Sequence, residues 1–106
     1  MKHTAYHKLV RDPIPQIIEA SGRQAVMQTV DSDTRLLLLE EKLKEELAEY
    51  LQSRSLEELA DLLEVMHGVV ECTGHTWAEL ESLRYAKKQA RGGFEKGILL
   101  LKVVEP

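Results

Sequence analysis

The sequence contains a single cysteine, Cys72, and no apolar run of the ~18 residues that a membrane-spanning helix needs. One cysteine cannot form an internal disulfide, which favours a reducing compartment. The segment after Met1 also lacks the apolar core of a signal peptide. The formal net charge of -4 argues against a nucleic-acid polymer as the partner. We therefore expect a cytoplasmic protein with no membrane partner.

The chain also lacks internal repeats, low-complexity tracts and linkers that would divide it. Its hydrophobic content of 43% and charged content of 30% are typical of a folded helical protein rather than a disordered one. Residues 1–106 are therefore expected to form a single domain, and the predicted fold class is an all-α helical bundle.

Four segments have the periodicity and the boundary residues of helices. The predicted helices run from Ile14 to Ala20, from about Asp33 to Ser53, from Ser55 to Cys72 or Thr73, and from Thr76 to about Ala90. Two further apolar segments, residues 24–30 and 98–104, favour a short two-stranded β element instead.

The second helix is apolar on more than one face. At about 100° per residue, Leu36, Leu39, Leu43 and Leu47 form one stripe, whereas Leu38 lies near the opposite side. A helix of this kind usually contacts more than one neighbour, so we expect an oligomer.

Two acidic pairs occur at helical i, i+3 spacing on either side of the short connection between the second and third helices. Glu46 lies about 20° from Leu39 on the helical wheel, and Glu49 lies one step further out. Glu58 falls among the apolar residues of its helix, and Asp61 lies about 40° beyond Val65. Acids chosen only for solubility would not occupy these positions.

Carboxylates in apolar surroundings are costly, and several together repel one another. A divalent cation removes both penalties, and ligands that are all oxygens suit a hard ion such as Mg²⁺ or Mn²⁺. The pattern predicts a metal site at Glu46, Glu49, Glu58 and Asp61, and with it phosphoryl chemistry. Glu58 leaves an alternative open, because it is also the last residue of a capping box that begins at Ser55.

Two basic groups are candidate substrate-binding residues. Lys87, Lys88 and Arg91 end the fourth helix, where cations also favour the helix dipole without any ligand. Lys8 and Arg11 precede the first helix and have two simpler alternatives, solvation or pairing with Asp12. Beside a metal cluster, both groups are expected to hold a polyphosphate.

The acidic pairs and the segments around them resemble a known family. The stretch from Glu45 to Glu49, followed by Glu58 and Asp61, is similar to the metal-binding signature of the MazG-like superfamily of all-α nucleoside triphosphate pyrophosphohydrolases. The segments 8–15 and 91–94 resemble small phosphoribosyl-ATP pyrophosphohydrolase-like proteins of bacteria, archaea and phages. The resemblance covers nearly the whole chain.

The resemblance implies hydrolysis of a nucleoside triphosphate to a monophosphate and pyrophosphate with Mg²⁺. It also implies a role in removing non-standard nucleotides. It assigns the metal ligands to Glu46, Glu49, Glu58 and Asp61. Glu45 would bind a second ion or orient water, and either Glu45 or Glu49 would act as the catalytic base. A homodimer or homotetramer is implied as well.

Two other functions remain open. One is the phosphoribosyl-ATP pyrophosphohydrolase step of histidine biosynthesis, which uses the same metal chemistry. The other belongs to a different class, a non-catalytic helical interaction protein whose acids are only solvated or capping.

Overall fold

The computed structural model describes all 106 residues and is all-helical, which confirms the predicted fold class. Its four helices are α1 (Ile14–Ala20), α2 (Ser32–Ser53), α3 (Leu56–Cys72) and α4 (Trp77–Arg91). None of them is long and apolar enough to cross a membrane.

The helices begin where the sequence provides caps. The side chain of Asp31 accepts a hydrogen bond from the Thr34 amide at 2.8 Å and starts α2. Ser55 and Thr76 do the same for α3 and α4. These side chains satisfy amides that have no partner within the first turn, so each helix starts at a defined residue.

The predicted β element is wrong, because residues 24–30 and 98–104 form no strand. Val26 is 92% exposed, and the apolar side chains from Ile98 to Val104 are exposed as well. A two-stranded ladder is marginal in water unless a hydrophobic face is buried, and neither segment has such a face. The weak alternation of side chains in residues 24–30 is therefore not accompanied by a partner surface that would bury one face of a strand.

Helices α2 and α3 form a hairpin and pack along each other. Only Arg54 and Ser55 connect them, and Arg54 adopts a left-handed conformation with φ 58° that reverses the chain. At the end away from this connection, a Cβ on Gly68 would lie 3.0 Å from a methyl carbon of Leu39. Leu39 and Val65 are the buried apolar residues of the chain.

The chain divides into two compact units, Met1–His75 and Thr76–Pro106. The first unit contains α1 and the α2–α3 hairpin. The second contains α4 and the C-terminal segment, and α4 ends at Gly92, whose φ of 81° is readily adopted by glycine.

Candidate metal centre

Three carboxylates from the two helices of the hairpin lie together near the connection. Glu46 of α2 and Glu58 and Asp61 of α3 each offer an oxygen, and these oxygens lie within 4.8 Å of one another. We call Glu46, Glu58 and Asp61 the carboxylate group. Its members occupy the positions that the helical wheel placed inside or beside the apolar stripes.

Glu46 is the most buried of the three, with only 7% of its surface exposed. Its Oε2 atom is buried without a hydrogen-bond partner, while Oε1 lies 3.7 Å from the Lys42 ammonium. Burial, followed by the neighbouring Glu49 carboxylate, raises the pKa of Glu46 to about 7, and Lys42 opposes the rise. One lysine therefore does not compensate the burial of this carboxylate.

The carboxylate of Glu58 does not cap its helix. The Glu58 amide donates to Ser55 Oγ at 3.3 Å, but the Ser55 amide donates to Ser53 Oγ, so the reciprocal half of the capping box is missing. Glu58 Oε2 is buried and unpartnered. Burial and the charges of Glu49 and Asp61 raise the pKa of Glu58. Its backbone caps the helix while its carboxylate belongs to the carboxylate group.

Glu45 and Glu49, the remaining predicted acids, lie outside the carboxylate group. Glu49 is exposed, although its charge is close enough to raise the pKa of both Glu46 and Glu58. Glu45 accepts a hydrogen bond from Lys8 at 3.0 Å, and this bond lowers the pKa of Glu45.

The segment before α1 contacts both helices of the hairpin. We call residues 7–12 the N-terminal arm. In addition to the contact between Lys8 and Glu45, Arg11 Nη2 donates to Asp61 Oδ1 at 2.9 Å. The structure thus brings both predicted arm cations to the predicted acids, and neither of them pairs with Asp12.

The carboxylate group fits a hard divalent cation. Two of its oxygens are buried without partners, and every available donor is a carboxylate oxygen. Mg²⁺ and Mn²⁺ prefer such donors, and a cation would remove both the burial penalty and the mutual repulsion.

The three other predicted substrate-binding residues lie in the second unit. Lys87, Lys88 and Arg91 line an open cavity of about 670 Å³ at the C-terminal end of α4. Glu95 lies 3.8 Å from Lys88 and reduces the positive charge there.

Sequence reasoning missed two cations that the structure places beside these sites. Arg84 lines the cavity together with Lys88 and Arg91, and these residues follow the i, i+4, i+7 spacing of one helix face. Lys42 lies one turn before Glu46. Helical spacing was a usable signal for both residues.

Comparison with known proteins adds little about function. No family model matches the chain, and no solved structure matches it. An uncharacterised protein of Mycolicibacterium smegmatis is 50% identical over 42 residues, which is 40% of this chain and 43% of that protein. The match thus spans less than half of each chain, and membership of the MazG-like superfamily stays a prediction.

Proposed function

We propose that this protein is a Mg²⁺-dependent nucleoside triphosphate pyrophosphohydrolase of the MazG-like type. The observation that carries the proposal is the carboxylate group, where oxygens of Glu46, Glu58 and Asp61 lie within 4.8 Å of one another and two oxygens are buried without partners. A group used only for solubility would be solvated, and a group used only for folding would have partners.

Each residue near the carboxylate group has a distinct role in this proposal. Glu46, Glu58 and Asp61 would hold the cation, and Glu49, the fourth predicted ligand, lies outside their group. The bound cation neutralises phosphate charge and lowers the pKa of a water molecule. Lys8 and Arg11 bind the phosphates of the nucleotide. Lys87, Lys88 and Arg91 of the second unit stay predicted phosphate-binding residues.

The contacts distinguish the two candidate bases. Glu45 accepts a hydrogen bond from Lys8, which lowers the pKa of Glu45 and weakens it as a proton acceptor. Glu49 is exposed and forms no ion pair with lysine or arginine. We therefore favour Glu49 as the group that takes a proton from the attacking water, with Glu45 in a positioning role.

Assembly into a homodimer or homotetramer is part of the proposal. Leu37, Leu47 and Leu51 of α2 are 64%, 47% and 51% exposed. Leucines exposed along one helix are a common feature of subunit interfaces, which supports the proposed assembly.

The direct test is pyrophosphate release from a panel of nucleoside triphosphates, with wild-type protein and Asp61→Asn. We expect Mg²⁺-dependent release by the wild type and a loss of roughly 100-fold or more in the variant, because a metal ion contributes several kcal/mol to such a reaction. Glu64→Gln is the matched control, since it neutralises an exposed acid of α3 outside the carboxylate group.

Equal rates for wild type and Asp61→Asn would contradict the proposal. Thermal denaturation gives a second measurement, because a cation that binds only the folded state raises its stability. A wild-type protein that neither releases pyrophosphate nor responds to Mg²⁺ would instead be a non-catalytic interaction protein. Hydrolysis of phosphoribosyl-ATP alone would indicate the histidine-biosynthesis enzyme.

A further inference from the structure

We propose that Arg11 is an exchangeable partner of Asp61 and thereby couples the binding of a divalent cation to the binding of a phosphate anion. The inference rests on the proposed function, because it places the cation among Glu46, Glu58 and Asp61. It adds that the two ligands assist each other and that one arginine is responsible.

Asp61 has two competing partners. Its Oδ1 accepts a hydrogen bond from Arg11 at 2.9 Å, and the same residue belongs to the carboxylate group. A cation bound by this group competes with the guanidinium for one carboxylate. Asp61 thus serves as the acceptor of Arg11 and as a member of the carboxylate group.

Arg11 is an incomplete counter-ion for the carboxylate group. Arg11 pairs with Asp61 alone. Glu46, which is nine-tenths buried, and Glu58 each keep an Oε2 atom without a hydrogen-bond partner. A divalent cation can contact oxygens of all three residues and carries twice the charge. The competition at Asp61 therefore favours the cation.

The exchange costs little. The side chains of Arg11 and Asp61 are 55% and 44% exposed, and an ion pair in such surroundings changes an equilibrium by roughly fivefold at most. A guanidinium released from Asp61 has all of its hydrogen-bond donors available for another acceptor. It can then donate two parallel hydrogen bonds to a phosphate, which suits its planar geometry.

The backbone around Arg11 is fixed while its side chain is exposed. The carbonyl of Arg11 accepts a hydrogen bond from the Ile14 amide at 3.0 Å, which ties it to the start of α1. Leu9 is half-buried, and His7 adopts a left-handed backbone conformation with a φ of 50°. The side chain can therefore change partner without movement of the arm.

A reciprocal coupling follows from this arrangement. A cation that binds alone must displace Arg11, and an anion that binds alone must draw Arg11 from Asp61. When both bind, the cation replaces Arg11 on Asp61 and the anion replaces Asp61 on Arg11. Each ligand therefore raises the affinity of the other by the same factor.

The test compares wild type with Arg11→Gln by isothermal titration calorimetry. The two probes are Mg²⁺ alone and pyrophosphate in saturating Mg²⁺. Because no arginine has to leave Asp61, we expect Arg11→Gln to bind Mg²⁺ roughly two- to fivefold more tightly. Because a charged hydrogen bond to phosphate is lost, we expect pyrophosphate to bind roughly tenfold more weakly. A purely structural role for Arg11 would weaken both.

Two control variants separate exchange from a general change in charge. Lys8→Gln removes the same charge from Glu45, which lies outside the carboxylate group, and should change the Mg²⁺ affinity less than Arg11→Gln. Lys44→Gln removes an exposed cation that pairs with Glu41 and should leave both affinities unchanged. Circular dichroism confirms that each variant folds.

The outcomes distinguish this inference from the proposed function. If wild type binds Mg²⁺ and Arg11→Gln binds it no more tightly, the exchange is wrong while the metal site remains. An equal gain in Lys8→Gln also overturns it, because the effect is then one of charge alone. If wild type binds no Mg²⁺, both the exchange and the proposed metal site are wrong.

Discussion

The two ends of the α2–α3 interface occupy the same helix stripes but have different chemistry. At the open end, Leu39 packs close to Gly68. Glu46 lies seven residues after Leu39 and Asp61 lies seven residues before Gly68, so both are nearer the connection. They face each other in the same register. Two helical turns therefore separate a tightly packed apolar contact from a group of carboxylates with unpartnered oxygens.

The difference shows what each end contributes. Leu39 packs so closely on Gly68 that an added Cβ would come within 3.0 Å of a Leu39 methyl carbon, so this end holds the helices together. At the other end, burial raises the pKa of Glu46, which means that folding disfavours its charged form. A leucine at that position would pack better. We infer that the apolar end stabilises the folded state and that the acidic end lowers its stability.

The largest expected effect is that of Glu46→Leu, which makes the acidic end resemble the apolar end. Pyrophosphate release should fall by roughly 100-fold or more, because a proposed cation ligand is lost. The free energy of unfolding of the metal-free protein should not fall, and it should rise by up to about 4 kcal/mol, since burial of a charge is relieved. Chemical denaturation with a metal chelator measures this second quantity.

A simultaneous loss of stability and activity in Glu46→Leu would contradict the comparison, because it would make Glu46 a structural residue. Glu64→Leu introduces the same side chain at an exposed position of the hairpin. It should lower neither quantity appreciably.

Leu39→Ala tests the apolar end and should have the opposite effect. Removal of a buried leucine side chain should lower the free energy of unfolding by about 2–5 kcal/mol. Pyrophosphate release per folded molecule should remain near the wild-type value, since Leu39 is two helical turns from Glu46. Denaturation curves and rates below the melting temperature give the two numbers.

Val26→Ala is the control for Leu39→Ala, because Val26 is 92% exposed in the same unit. Its effect on stability should stay within about 0.5 kcal/mol. If the folded fraction of Leu39→Ala lost activity as completely as Glu46→Leu, the proposed division between the two ends would fail.

The last expected effect is a pH dependence of stability that arises at the acidic end. In the metal-free protein the pKa of Glu46 is raised from 4.5 to about 7 by burial and by Glu49 and Asp61, against Lys42. Between these values the folded state holds a proton that the unfolded state has released. Stability that is present below pH 4.5 should therefore decrease as the pH rises through about 7.

Melting temperatures of wild type and Glu46→Leu, measured in a metal chelator across this pH range, isolate the contribution of Glu46. Other groups titrate in both proteins, so the difference between the two curves is the relevant quantity. A difference that does not change with pH would show that Glu46 is charged in the folded state.

The helices and the acidic positions were predictable because their signals are local. Helix α1 was expected from Ile14 to Ala20 and is observed there, since a proline and a glycine flank it. The wheel positions of Glu46 and Glu58 follow from helical periodicity alone. Because only two residues connect α2 and α3, the ends of these helices next to the connection must lie close together.

The contacts of the N-terminal arm and the absence of strands were not predictable in this way. The pairs Lys8–Glu45 and Arg11–Asp61 join distant parts of the chain, and nothing in their local sequence distinguishes them from pairing with Asp12. The β element failed for a related reason. Strand pairing also depends on distant partners, and weak alternation in residues 24–30 did not show that a partner was missing.

The two-residue connection between α2 and α3 has a consequence for how the protein folds. Because Arg54 and Ser55 alone join the helices, Glu46 and Asp61 are close in sequence as well as in space. Contacts of low sequence separation close small loops and form early in folding. The carboxylate group is therefore expected to assemble as soon as the hairpin closes.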